Sequence, residues 1–150
     1  MLDGYRRIVR DQAPLHAGHI EFAPGFSYDD LVALLNGLVF FWPGNDAGPI
    51  REGQNHFKRY AAEQPVILRI RTEDLIASAG WGRVRGCKYN SGAPRTTNGR
   101  RSPRGPDTFF PLGGFNGTRS SVKEIVVEGG VDLPSLVEIA TQPSGPFNSF

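Results

Sequence analysis

Apolar positions along the chain fall in short runs broken by Gly and Pro, and their spacing predicts small elements. Tyr5 to Gln12 alternate as a short strand that Pro14 ends. Ser27 and Asp30 have the spacing of a capping box, and Leu31, Leu34 and Leu35 share one face of the helix it opens. Asn36-Gly37 supplies the stop, since both residues tolerate the left-handed conformation. Leu38 to Trp42 then reads as a strand buried on both faces and closed by Pro43-Gly44. A second helix is expected from Ile50 to about Ala62, with Pro49 near its start. Pro65 to Arg71 alternates as a strand with one partly polar face, and Thr72 caps a helix over Glu73 to Ala79, with Gly80 past its end. Further strands are expected over Trp81 to Tyr89, briefly over Thr108 to Phe110, and strongly over Val122 to Val127. Gly113 to Ser121 reads as a flexible connection. Leu133 to Ala140 begins as a turn or short helix and ends extended. Leu38 to Trp42 is expected to be central, with Val66 to Ile70 and Ile125 to Val127 in the same sheet.

Length and composition set the class. One domain is the default for 150 residues, and a 39% hydrophobic, 21% charged chain is ordinary for a globular protein. With Gly 19 and Pro 12 the chain is loop-rich. The expected architecture is α+β: a single domain over 1–141, with a mixed, twisted sheet of about five or six short strands and two or three packed helices, and a loose tail over 142–150. The longest apolar run, around Leu31 to Trp42, is interrupted by Asn36 and Gly37 and cannot span a bilayer, so no membrane partner is expected. No hydrophobic segment follows Arg6-Arg7, so no signal peptide is expected. The lone Cys87 excludes an internal disulfide framework, and these features together fit a cytoplasmic setting.

The net charge of +2 conceals an asymmetry. Seven of the 17 basic residues lie between Arg83 and Arg104, a stretch with no acid, leaving ten basic residues against fifteen acidic ones elsewhere. Such a block suits phosphates, or it is a solvated loop. Asn90 to Asp107 carries no hydrophobic period, and a structureless stretch of that length is either functional or disordered. Asn90 and Asp107 are suited to fixing tight turns through side chain to backbone bonds. His16, His19 and His56 lack metal spacing, and neither a nucleophile elbow nor a GxxxxGK loop is present. Glu124 opens an otherwise aliphatic strand, Ile125-Val126-Val127. A buried unpaired carboxylate is costly, so Glu124 is expected at a solvent or cleft end, either as a functional group or as an ion-pair partner of Lys123 or Arg119. Glu128 is expected in a turn, and Arg10 either binds an anion or pairs with Asp11 or Glu21.

Four strings stand apart: Leu35-Asn36-Gly37-Leu38-Val39-Phe40-Phe41-Trp42, Asn90-Ser91-Gly92, Pro103-Arg104-Gly105-Pro106-Asp107-Thr108-Phe109, and Val122-Lys123-Glu124-Ile125-Val126-Val127. In this order they resemble an uncharacterised bacterial domain family with an LNxxVFFW strand, an NSG turn, a PRGxDTFxP loop and a closing Glu-aliphatic strand. Ile8-Val9-Arg10-Asp11-Gln12 is similar to that family's IRDQ segment, and the resemblance covers roughly Arg6 to Ala140. The family is distantly similar to the DarT-type mono-ADP-ribosyltransferases. That resemblance implies an ADP-ribosyltransferase-like fold and transfer of ADP-ribose from NAD, as substrate, to an unidentified macromolecule, either nucleic acid or protein. It implies Glu124 as the catalytic carboxylate, Arg10 on the pyrophosphate, and Phe41, Trp42 and Asn90 about the NAD site. Arg100, Arg101 and Arg104 would lean over a phosphate-bearing acceptor.

Members of the resembled family also carry an earlier segment, with a histidine that contacts NAD. Here Met1 lies only a few residues before Arg10, so on this comparison either a trimmed version of the domain or an incomplete NAD site is expected. The competing class is a non-catalytic binding module that uses the basic loop 83–104 for nucleic acid or an acidic partner. A toxin, defence or housekeeping role, and the oligomeric state, stay open.

Overall fold

The capping box read from Ser27 and Asp30 opens the first helix of the computed structural model, which describes residues 15, 17–93, 96–97 and 100–149. The expected strand over Tyr5 to Gln12, with Arg10, and also His16, lie outside the described residues. Ser27 Oγ accepts the Asp30 N–H at 3.1 Å while Asp30 Oδ2 accepts the Ser27 N–H at 2.8 Å. The hydrogen bonds from Ser27 hold the Asp30 carboxyl below its usual range. The chain then runs α1 (Tyr28–Asn36), β1 (Leu38–Phe41), β2 (Gly44–Asn45), β3 (Gly48–Pro49), α2 (Arg51–Tyr60), β4 (Ile67–Arg69) and α3 (Thr72–Ala79). It continues through β5 (Val84–Cys87), β6 (Thr96–Thr97), β7 (Arg100–Arg101), β8 (Phe110–Pro111), β9 (Glu124–Glu128), β10 (Glu138–Ala140) and β11 (Asn148–Ser149). This is a single α+β domain with three α-helices among the described residues. Arg71 rather than Thr72 occupies the cap of α3, and it makes no side-chain cap bond.

The strands divide among several antiparallel sheets instead of one mixed sheet. The principal sheet has the order β1-β9-β5-β8. β9 is therefore interior, with Phe40 opposite Val126 on one side and Gly86 opposite Ile125 on the other. Val126 and Val127 are fully buried, and each such side chain contributes roughly 1.5–3 kcal/mol. Among the described residues β1 stands at the edge of this sheet rather than at its expected centre, and Leu38 to Phe41 are only partly buried. β4 is not in this sheet either. It pairs with β10 in a second sheet of order β11-β10-β4. The polar face of β4 explains the choice, since Arg69 Nε and Nη2 donate to the two carboxylate oxygens of Glu138 at 2.7 and 2.9 Å. Residues 148–149 of the expected loose tail pair with β10, and the Arg69 guanidinium lies 4.0 Å over the Phe147 ring.

Strand alternation sends successive residues of β9 to opposite faces. On one face Val126 and Cys87 pack with Leu31 and Leu35 of α1, and with Phe109, Phe40 and Leu38. On the other, Ile125, Val127 and Val84 pack with Leu75 and Ala79 of α3, and with Phe41, Phe110 and Phe115. The principal sheet is thus covered by α1 on one side and α3 on the other. Gly37 ends α1 at φ −83°, so the stop is not the left-handed turn expected from Asn36-Gly37. The right-handed conformation leads directly into β1 and lets the Gly37 carbonyl accept the Gly129 N–H at 2.8 Å.

Phe40 tests the edge position. Its ring meets Phe109 edge-on at 6.2 Å but is only partly covered. Phe40→Ala should cost about 2 kcal/mol in urea unfolding, below the ~3–5 kcal/mol of a fully buried aromatic. A loss of 4 kcal/mol or more would show that the ring is closed off as in a central strand.

Candidate functional site around Glu124

β9 begins at Glu124, directly opposite Cys87 of β5. Strand pairing places this carboxyl on the same face as Val126, towards the α1 layer. It is 1% exposed, so neither the expected solvent end nor an ion pair with Lys123 or Arg119 describes it. Two tight segments enclose it instead. Ser91, fully buried, donates its N–H to Glu124 Oε2 at 3.1 Å. Glu124 Oε1 and Ser91 Oγ are buried and have no hydrogen-bond partner. Burial raises the Glu124 carboxyl to about 7, against the opposing pull of the Ser91 hydroxyl, the Ser91 N–H and the positive charge of Arg104. The hydroxyl is thus near enough to favour the ionised form, although its geometry makes no bond.

The turn that presents Ser91 is built locally. Asn90 Oδ1 accepts the Gly92 N–H at 3.1 Å, and the Asn90 carbonyl accepts the Ala93 N–H at 3.2 Å, an arrangement suited to an asparagine. Arg104 closes the turn from behind. It is 1% exposed, and its Nε donates to Ser91 O at 2.9 Å, Nη1 to Ser102 O at 2.7 Å, and Nη2 to Asn90 O at 3.5 Å and to Ala93 O. The guanidinium also lies 4.3 Å over the Tyr89 ring. Its backbone ties in a third segment, donating to Glu21 O at 2.7 Å and accepting from Ala23 N at 2.8 Å. The expectation that Arg104 reaches out to an acceptor is therefore corrected: its donors are spent on interior carbonyls. The following Gly105-Pro106-Asp107 turn is fixed by Thr108, whose hydroxyl accepts the Gly105 N–H at 2.9 Å, while Asp107 is exposed.

The long stretch over Asn90 to Asp107 has more structure than its composition suggested. β6 and β7 form a two-stranded hairpin, with Thr97 opposite Arg100 and Thr96 opposite Arg101. Arg100 and Arg101 make up β7, whereas Arg104 is buried. Asn90, Ser91, Arg104 and Glu124 are brought together. Phe41 is not: it packs on the α3 face of the sheet, opposite Glu124. Trp42 turns towards α2, where Gly53 allows its approach; a Cβ at Gly53 would lie 2.8 Å from Trp42 Cβ. Its ring stands 5.8 Å from that of His56, which in turn stands 4.9 Å from Tyr60.

Beside the cluster lies an open groove of about 480 Å³, lined in part by Lys88, Tyr89, Thr108, Phe110 and Phe115. Phe110 and Phe115 stack at 4.5 Å with Lys88 above them, 6.0 and 5.8 Å from the two rings. Tyr89 is common to the groove and the Arg104 contact. No group of three or more His, Cys, Asp or Glu side chains that would hold a metal occurs among the described residues. Nor is any described helix long and apolar enough to cross a membrane. Ser91 was not singled out from the sequence, and the burial of Arg104 was not foreseen. The available signal was the fixing of a cation between Pro103 and Gly105-Pro106, a rigid setting unlike that of a solvated loop arginine.

A family model described as "Family of unknown function (DUF7002)" matches residues 2–137, and the chain belongs to that family. No curated protein and no solved structure matches it.

The state of Glu124 has a measurable consequence for stability. Its ordinary value is 4.5 and its folded value about 7, so between those limits the folded protein binds the proton that the unfolded chain has released. Stability from this group is therefore full below about pH 4.5, falls as pH rises to about 7, and then levels off. The shift corresponds to roughly 3 kcal/mol. Glu124→Gln keeps an acceptor for the Ser91 N–H and adds a donor beside the unpartnered Ser91 hydroxyl. The variant should lose this fall in stability and unfold several degrees above wild type at pH 8, with the two alike at pH 4.5. Parallel profiles of Tm against pH would show that the carboxyl titrates normally.

Proposed function

We propose that this member of a family of unknown function is an ADP-ribosyltransferase-like enzyme that takes NAD as substrate and transfers ADP-ribose to a macromolecular acceptor. The reading is supported by the resemblance of its four strings to an uncharacterised bacterial family that is distantly similar to the DarT-type enzymes, and by one observation above all. A buried carboxyl is held by one oxygen, its other oxygen has no partner, and its proton affinity is moved close to neutrality. Strongly perturbed buried ionisable groups of this kind cluster at functional sites. In this reading the glycosidic C–N bond of NAD breaks and its electron pair leaves with neutral nicotinamide. Positive charge develops on the ribose, and ionised Glu124 stabilises it from a fixed position. The acceptor nucleophile then bonds to the same ribose carbon and loses its proton. Because Glu124 is covered without substrate, entry of the dinucleotide requires the 90–93 turn or its neighbours to yield.

That same burial favours a second reading, in which the domain binds without catalysis and the hairpin carrying Arg100 and Arg101 supplies the contact. NAD turnover separates the two. Wild type should consume NAD with a rate that rises with pH through about 7, as Glu124 ionises. Glu124→Gln at equal folded concentration should lose about a hundredfold or more. Equal rates in the two proteins would remove Glu124 from the chemistry, and an inactive folded wild type would leave the binding reading in place.

A further inference from the structure

We propose that Arg104 is the positioning residue for the Glu124 carboxyl, acting through the Asn90–Ser91 backbone. The two charged groups make no direct ion pair; a length of backbone stands between them. The carbonyls on either side of the Ser91 Cα, Asn90 O and Ser91 O, face the guanidinium at 3.5 and 2.9 Å. The N–H between them faces Glu124 Oε2 at 3.1 Å. The peptide group linking Asn90 to Ser91 therefore has its oxygen towards the cation and its hydrogen towards the carboxyl. This is the favourable orientation of its dipole in the field of both.

The chemistry requires arginine. Three nitrogens of one planar group hold carbonyls of residues 90, 91, 93 and 102, which fixes the turn as a rigid piece. An ammonium ion carries the same charge but cannot span those acceptors in one plane. The Tyr89 ring beneath the guanidinium and the backbone bonds to Glu21 and Ala23 hold Arg104 itself. The carboxyl thus receives its orientation from a residue twenty positions away in sequence that does not touch it. The effect on turnover rests on the ADP-ribosyltransferase reading; the effect on the carboxyl does not.

The test is NMR on the full-length protein labelled with ¹⁵N and with ¹³C in the glutamate carboxyls. In wild type, the Ser91 amide and the Arg104 Nε–H should both shift with pH, at the midpoint of the Glu124 carboxyl. In Arg104→Lys, Ser91 amide exchange should accelerate by about tenfold or more, as the turn loses charge-assisted bonds. The Glu124 midpoint should also rise, although the charge is retained. Where NAD is consumed, the lysine variant should lower kcat with KM little changed. Unchanged Ser91 protection and an unchanged Glu124 midpoint in Arg104→Lys would overturn the proposal. If that variant fails to fold, the wild-type titration decides: a common midpoint supports the coupling, and its absence refutes it. A wild type that leaves NAD intact would sink the enzyme reading while these resonances still judge Arg104.

Discussion

Removing a guanidinium and a carboxyl from water within one cluster constrains everything near them. Each ion costs several kcal/mol to desolvate unless the protein replaces its hydration. The replacement here is unequal. Arg104 is met by the carbonyls of the 90–93 turn and Ser102, and by the Tyr89 face. Glu124 is met by a single N–H, with its other oxygen left unpaired. That imbalance accounts for the upward displacement of the carboxyl even with a cation close by: burial outweighs the attraction. It also requires the tight turn over Asn90 to Ala93, which brings three carbonyls to one point on the guanidinium.

The sheet supplies the fixed frame for this arrangement. β9 is interior, and its core residues Ile125, Val126 and Val127 are buried between the α1 and α3 layers. Glu124, the first residue of that strand, inherits the rigidity without sitting in the middle of the apolar core. Cys87 opposite it ends β5, and the chain proceeds through Lys88 and Tyr89 straight into the turn that holds the carboxyl. The Lys123 N–H bonds to the Cys87 carbonyl at 2.7 Å, so the pairing extends one residue beyond the strand and secures this end of it.

Much of this was legible where local chemistry decides. Ser27 and Asp30 announced a reciprocal cap, Asn90 announced a side-chain-fixed turn, and Ile125 to Val127 announced a buried strand; each needs only near neighbours in sequence. What was not legible depended on partners far along the chain. Leu38 to Trp42 is apolar enough for a central strand, but hydrophobicity cannot say how many neighbours a strand acquires, and β1 has one among the described residues. The strand around Leu68 was placed in the wrong sheet because its choice turns on Glu138, 69 residues beyond Arg69. Arg104 was misread for the same reason. Counted with its basic neighbours it belongs to a charged loop, yet its environment is made by residues 89–93 and 21–23, which composition does not bring together.

Three of the four strings that set this chain apart now have a common meaning. Asn90-Ser91-Gly92, Pro103-Arg104-Gly105 and the opening of the Glu124 strand meet in one buried cluster, while the aromatic string forms the edge strand and divides its rings between the two faces. If that cluster served only to fill space, a glutamine or an apolar side chain at position 124 would do so at less cost. Well-packed neutral groups commonly match or exceed buried ions in stability. A half-satisfied polar network costs more than an apolar core. The ionisable group at that point accepts a hydrogen bond from its backbone neighbour and is raised by burial to about 7, so the proposed chemistry is to be sought at this end of β9.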